Sequence, residues 1–599
     1  MIQFYTKEYT ILILLARIFS FTLVNGATII TDDVDQQGLY RKSNQVIILT
    51  NRNFERKIYG QKYALVVQFY NSYCGHCRAF APKFKSLASD IVAWKNIIQL
   101  AVIDCSVQEN TGICREFEVL AYPSLRYLHE NYVKGNANVG DKLQTTDSAE
   151  NLKNQIILKM RTEQSRGHLT MAPPLSIASY ESFTSTLKDV PNDVNYTFLV
   201  FESENSTIGS ELILDLNDYE HVRVKRVYDT SELASIAGVT NTPSVVAVKS
   251  NLQHNLLTPN NLTKHSLLQS INTFLKSNNY AFPVRDTDQH ENDLKEISKE
   301  GNAALMADIV YYNDLEKTIK TSLNTEIVRY KVLYGDRLRA ILDYLDVIVN
   351  NFPFRGNLRE FIVDLRNTLS TKHEWSGNEV SELVRRLEHF YAPVYITNLE
   401  YVSCKGSQIQ YRGYSCGLWT LFHTLTVNAA TNSGAEGPKV LRAMHGYITN
   451  FFGCTECAKH FQALAETNRL FDIKENEKAV LWLWIAHNEV NLRLAGDVTE
   501  DPAHPKIQFP TASNCPDCRL INGAWSLPDV YEYLQSVYGS RKIRQMRQEK
   551  SSGMSTSPFS YLDIGLLSLL YILSFIIIIG QLTCGLRNFI YGLSFPLKK

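Results

Sequence analysis

The 599-residue sequence has no charge of one sign to spare, with Lys plus Arg and Asp plus Glu each numbering 61. Without a basic field there is no electrostatic case for nucleic acid, and without an acidic field none for a cationic partner. A Gly-x-Gly-x-x-Gly fingerprint is also absent, so no Rossmann dinucleotide site is on offer. Cysteine is missing from the whole stretch between Cys114 and Cys404, which confines thiol chemistry to two regions. The chain is too long for one hydrophobic core, so several domains are expected.

What is present begins with eleven cysteines. Ten fall into local pairs: Cys74/Cys77, Cys105/Cys114, Cys404/Cys416, Cys454/Cys457 and Cys515/Cys518. Cys584 stands alone. Two segments suggest the compartment. Lys7 and an apolar run from Ile11 to Val24, broken by Arg17, read as a signal peptide cleaved after Gly26. Ile564 to Leu582 is a run of about 19 residues without a charge, long enough to span a bilayer. The basic residues Arg541, Lys542, Arg544, Arg547 and Lys550 precede that span, against the positive-inside rule. A domain committed by a signal peptide translocates largely regardless of such flanks. The expectation is a single-pass protein of the secretory pathway (Golgi, endoplasmic reticulum or cell surface), its bulk luminal or extracellular. Sequons at Asn195, Asn205 and Asn261 fit that topology, and an oxidising compartment allows disulfides.

Ala64 to Tyr70 (ALVVQFY) reads as a buried strand that delivers Cys74-Gly75-His76-Cys77 to the start of a helix carrying Phe80, Phe84, Leu87 and Ala88 on one face. Free amides and the macrodipole at a helix N-terminus stabilise a thiolate. Cys74 is therefore expected to be the exposed nucleophile and Cys77 the resolving thiol. Ile97 to Ile103 reads as the next strand. Pro123, in Ala121-Tyr122-Pro123-Ser124, is expected to be cis beside the dithiol and to hold substrate. A zinc site would need two further ligands, for which Cys105 and Cys114 are candidates, although their spacing suits a local disulfide. These residues resemble the thioredoxin fold of protein disulfide isomerases. Tyr73 stands where those proteins usually have Trp, and Gln68 where they have a buried Glu that moves a proton at the second cysteine.

From Ala172 to Tyr280 strand-like and helix-like segments alternate. Gly238-Val-Thr-Asn-Thr-Pro243-Ser echoes Glu118-Val-Leu-Ala-Tyr-Pro123-Ser, suggesting a second thioredoxin-like unit without a dithiol. Beyond Pro283 the periodicity turns helical, with stripes such as Leu333, Leu338, Ile341, Leu342, Leu345 and Ile348. Three later blocks are richer in chemistry: Tyr411 to His423, Phe451 to Phe461, and Trp482 to Asn491. Trp419 and His423 share a helix face, as do His487 and Asn491. Cys454/Cys457 opens the helix of the middle block. Singly these are core aromatics and satisfied histidines, and Cys454/Cys457 with Cys515/Cys518 have the makings of a four-cysteine zinc site.

Together the three blocks resemble the Erv/ALR flavin-binding bundle, and the whole arrangement resembles the quiescin sulfhydryl oxidase family. The resemblance implies α/β thioredoxin-like domains followed by an all-α bundle and one C-terminal transmembrane helix. In residues this means a signal peptide (1–26), a thioredoxin domain (36–165), a second without CxxC (172–280), a helix-rich domain (285–395) and the Erv/ALR domain (396–540). A linker (541–562), the span (563–583) and a cytosolic tail (584–599) follow. It implies FAD, held by Arg412, Trp419, His423, Glu456, His460, Trp484, His487, Asn488, Asn491 and Lys506, with Phe509 where relatives often have Trp. It implies no metal, and structural disulfides Cys404–Cys416 and Cys515–Cys518, beside the Cys105–Cys114 bond that spacing suggests; a third redox relay is the alternative for Cys515/Cys518. A cysteine pair that many members carry in the second unit is absent here. The implied reaction passes electrons from reduced client proteins to Cys74/Cys77, then Cys454/Cys457, FAD and molecular oxygen. A membrane-anchored isomerase or a thiol-dependent chaperone would keep only the first dithiol.

Overall fold

The computed structural model describes residues 36–280 and 308–546, apart from 136–137, 258, 260, 433–435 and 498. The expected signal peptide, transmembrane span, cytosolic tail and Cys584 lie outside the described residues. No described helix is long and apolar enough to cross a membrane.

The first sheet orders its strands β1-β3-β2-β4-β5: β1 (Ile47–Leu49), β2 (Ala64–Tyr70), β3 (Ile98–Asp104), β4 (Ser124–Leu128) and β5 (Asp141–Leu143). β1, β3 and β2 are parallel, while β4 and β5 run antiparallel to their neighbours. Every residue of β2 is buried, the pattern of a central strand covered on both faces. Helix α1 (Gly75–Asp90) follows β2 and buries Phe80, Phe84, Leu87 and Ala88. Cys105–Cys114 closes the loop after β3 and leads into α2 (Thr111–Glu116). Helix α3 (Ala149–Ser165) completes the unit, its N-terminus capped by the Ser148 hydroxyl.

The second sheet repeats this topology in β6 (Ile177–Ala178), β8 (Val222–Tyr228), β7 (Tyr196–Glu202), β9 (Ser244–Lys249) and β10 (His254–Leu257), in that spatial order. Both units carry a cis-proline before the first antiparallel strand, Pro123 and Pro243, so the faint internal repeat is a real duplication of fold. No dithiol staples the second unit. Arg226 and Glu202 instead form a fully buried ion pair on adjacent strands. The two units are tied by buried polar contacts: Trp94 Nε1 donates to Asp215 at 2.8 Å, and Lys153 pairs with Glu211 at 3.0 Å.

The helical half comprises α4 (Tyr312–Thr321), α5 (Gly335–Asn351), α6 (Leu358–Leu369), α7 (Gly377–Phe390), α8 (Gly413–Thr431), α9 (Gly437–Phe451), α10 (Thr455–Thr467), α11 (Asn476–Leu494) and α12 (Leu527–Tyr538). The predicted stripe Leu338, Ile341, Leu345 and Ile348 faces inward on α5. Leu333, expected in the same helical stripe, instead precedes the helix in a two-stranded ribbon, where pairing with Trp375 buries it. One apolar core runs from Val310 to Ile543, so the division placed near residue 396 does not separate two cores.

Candidate active site

Cys74 is the N-cap residue of α1, with extended backbone, and Cys77 lies one turn inside. Both are thiols. The Asn71 amide donates to Cys77 Sγ at 3.5 Å, and Cys74 Sγ donates to the Tyr122 carbonyl, next to cis-Pro123, at 3.7 Å. A hydrogen bond from the Cys77 thiol holds Cys74 below the usual thiol range, helped by the Cys77 and His76 amides and Arg78. Burial, the Cys74 neighbour and Asp104 push Cys77 well up. One sulfur is primed as a thiolate and the other kept protonated.

The expectation of an exposed nucleophile needs correction, because Cys74 is only 2% exposed. The cause is the helical half. Cys454 belongs to the same buried cluster as Cys74 and Cys77, with Phe452 and Cys457 packed against it. Arg78 Nη1 donates to the Gln410 carbonyl at 2.8 Å, its guanidinium over the Tyr411 ring. Tyr73 packs where a Gly413 side chain would be, and Thr499 lies against Gly75. The first thioredoxin-like unit is thus docked dithiol-first onto the second dithiol.

Cys454 in turn is the N-cap residue of α10, joined to Cys457 in a disulfide. Cys404–Cys416 and Cys515–Cys518 are also bonded, so the two late CxxC pairs each close on themselves. Helices α8 and α11 bring Trp419 and His487 into a near-parallel stack at 4.2 Å, and His423 Nε2 lies 3.2 Å from His487 Nδ1. His423 also stacks on Tyr538 at 4.7 Å. Burial lowers His423 to about 3 and His487 well below its usual value, so both stay neutral. His423 Nδ1 and Arg412 Nε are buried without a partner. Lys506 is exposed. Desolvation and the nearby Arg412 and Arg78 lower it, and it forms no ion pair among the described residues. Stacked aromatic rings, a neutral imidazole with an unmet polar atom, and two cations, Arg412 and Lys506, that form no ion pair among the described residues fit a flat heterocycle attached to a diphosphate.

The remaining sequence-predicted contacts divide. Trp484 Nε1 and Asn488 Nδ2 both donate to the Phe509 carbonyl, at 2.6 and 2.8 Å, and Asn491 Nδ2 donates to that of Ile507 at 3.1 Å. These three hold the loop that carries Lys506. Phe509 packs against Tyr533. Glu456 pairs with Lys459 at 2.7 Å, and His460 is exposed. Asn195, Asn205 and Asn261 are exposed. Sequence reasoning missed Asp314, fully buried on α4, which accepts from the amides of Val402, Ser403 and Cys404. It anchors the loop leading to Arg412, and nothing in its sequence neighbourhood marks it.

Residues 416–510 match the Erv1/Alr family, 45–156 thioredoxin, 307–407 the FAD-dependent sulfhydryl oxidase family and 170–264 the QSOX Trx-like domain. Sulfhydryl oxidase 2 of Mus musculus is 30% identical over 560 residues, covering 87% of this chain and 79% of that protein. The chain is a member of the sulfhydryl oxidase family. Sulfhydryl oxidase 1 of Gallus gallus is 35% identical over 489 residues, 80% of this chain but 65% of that protein, so the chain spans a little under two thirds of its length. A solved sulfhydryl oxidase fragment of human QSOX1 is 31% identical over 40% of this chain and 98% of its own, with a TM-score of 0.38. As a sulfhydryl oxidase the chain is a thiol oxidase that uses FAD, and the isomerase and chaperone readings are not favoured.

Proposed function

We propose that this oxidase takes electrons from reduced proteins of the secretory pathway through Cys74/Cys77 and hands them to Cys454/Cys457. The observation that carries this reading is the packing of a reduced first dithiol against an oxidised second one in one buried cluster. A client thiolate attacks the Cys74–Cys77 disulfide, and exchange leaves the client oxidised and both cysteines reduced. After docking, the Cys74 thiolate attacks Cys454, the Cys454–Cys457 bond breaks, and Cys457 leaves as a thiolate. Cys77 loses its proton and attacks Cys74, which frees Cys454 and restores the first disulfide. FAD, when bound, supplies the two-electron oxidation of the second dithiol and passes the electrons to oxygen, which leaves as hydrogen peroxide. Arg412 and Lys506 would hold its diphosphate, and Trp419, His423 and His487 its rings. Trp484, Asn488 and Asn491 act from behind by fixing the Lys506 loop. Glu456 and His460 would meet the cofactor at its outer edge, and Cys105–Cys114, Cys404–Cys416 and Cys515–Cys518 are structural.

Because a docked Cys74 is covered, the first domain must leave the helical half before a client can reach it. The apolar run from Ile564 to Leu582 would anchor the chain, with Asn195, Asn205 and Asn261 as glycan sites on the luminal side. The test is the visible spectrum and oxygen consumption of the purified chain. One flavin per chain and oxygen uptake with a reduced protein are expected. Cys454→Ser should abolish uptake yet leave disulfide exchange at Cys74 intact. A colourless, folded chain that FAD cannot reconstitute would overturn the proposal.

A further inference from the structure

A short irregular segment of the helical half lies where the first thioredoxin-like unit docks on it. Helix α4 continues into a π-helical turn, Ser322–Glu326, and then a tight turn, Ile327–Arg329. π-turns cost regular hydrogen bonding and recur at functional sites. This one places Glu326 and Arg329 side by side, Nη1 to Oε2 at 3.3 Å, each side chain 3% exposed. A buried ion pair is a poor stabiliser, because desolvation offsets most of the attraction. Its position therefore asks for another reason.

That position is between the two dithiols. Glu326 Oε1 accepts from Asn71 Nδ2 at 3.5 Å, and the amide of Asn71 is the group that donates to Cys77. The Arg329 guanidinium lies 5.7 Å from the centre of the Tyr122 ring, and the carbonyl of Tyr122 is the group that accepts from Cys74. On the other side lies Gly453, which precedes Cys454. A side chain at Gly453 would lie 2.7 Å from Arg329 Nη1 and 2.8 Å from the Tyr122 ring, so glycine is what allows this approach. The same segment grips the first domain at its periphery. Arg115 Nη1 donates to the Val328 carbonyl, Gln108 donates to Asn324 at 3.3 Å, and Lys331 pairs with Glu118 at 2.7 Å.

We propose that Glu326 and Arg329 are positioning residues for thiol–disulfide exchange between the domains: they align the Cys77 side of the incoming dithiol through Asn71, its Cys74 side through Tyr122, and Cys454 through Gly453. This rests on the relay proposed above. The pair touches neither sulfur directly. It acts on the one step in which the Cys74–Cys454 bond forms as Cys454–Cys457 breaks, where a displacement of one ångström is costly.

Two readouts test this in the full chain. With Cys77→Ser and Cys457→Ser, oxidised glutathione as oxidant drives a Cys74–Cys454 bridge, with two thiols oxidised and glutathione released. Adding Arg329→Ala or Glu326→Ala should slow bridging about tenfold or more, and Arg329→Lys should recover most of the loss. In a separate chain with Cys454→Ser and Cys457→Ser, the same substitutions should speed alkylation of Cys74, because a loosened dock uncovers it, while Cys77 stays unlabelled. Bridging and labelling both unchanged from the parent would overturn the assignment. Labelling at Cys77 would mean a lost fold, and Glu326→Gln, equal in shape, then decides by the same two readouts. A parent that never bridges overturns the relay and this assignment with it, whereas a bridging parent with unaffected variants overturns the assignment alone.

Discussion

At the scale of single residues, the first dithiol is set up by asymmetry. Cys74 is held down and Cys77 pushed up, so alkylation of the reduced chain should follow one titration with a midpoint below the free thiol value of about 8.5. It should add one label per dithiol, as mass spectrometry of samples quenched across pH 5–9 would reveal. Two labels would contradict the assignment of roles. Gln68 makes a second prediction. It is fully buried, accepts from the Tyr40 hydroxyl at 2.5 Å, and leaves its Nε2 unpartnered. Gln68→Glu puts a proton acceptor there, and should shorten the life of the client mixed disulfide by about tenfold, within the reach of a positioned base. Trapping the intermediate with acid and counting it on non-reducing gels would show whether it persists unchanged, which would sink the idea.

Among elements, the proposed flavin site depends on a loop that two devices hold. Asp314 gathers three amides and the Ser403 hydroxyl, and Cys404–Cys416 closes the same loop. Arg412, at the end of that loop, donates to the Ser403 carbonyl at 2.8 Å. Asp314→Ala leaves those amides buried and unmet, and should cost about 2–4 kcal/mol. The chain should also lose flavin on gel filtration while Cys74/Cys77 still exchange with a small disulfide. The neutral histidines between α8 and α11 set the acid side. His423 has its folded value lowered to about 3, from 6.5 when unfolded. As pH falls from 6.5, the unfolded chain binds a proton that the folded chain refuses, and stability is lost. The melting midpoint of the helical half should therefore drop on going from pH 7 to pH 5, less steeply in His423→Phe.

For the whole molecule, one core spans the helical half from Val310 to Ile543, and a separate one holds the first thioredoxin-like unit together with Cys454. A cofactor bound by the first of these stabilises that core by mass action, about 3 kcal/mol at a hundredfold excess over Kd. Stripping FAD should lower the melting transition of the helical half and leave that of the paired thioredoxin-like units in place. Calorimetry of the two forms checks this, and equal shifts in both transitions would mean that the halves unfold as one.

Much of this was legible in the sequence, because it is local. The run ALVVQFY became a wholly buried central strand, since uninterrupted apolar, β-branched residues suit a strand covered on both faces. A dithiol directly after it had to open the next helix, and the three- and four-residue stripes had to face a core. What only the tertiary structure decided was adjacency between distant segments. No pattern along the chain says that Cys74 will be covered by the Cys454 region, that Trp484, Asn488 and Asn491 will hold a loop, or that Glu326 and Arg329 will stand between two dithiols. Periodicity records whether a side chain is buried. Which partner buries it depends on how whole elements pack, and that is written in their shapes together rather than in any one of them.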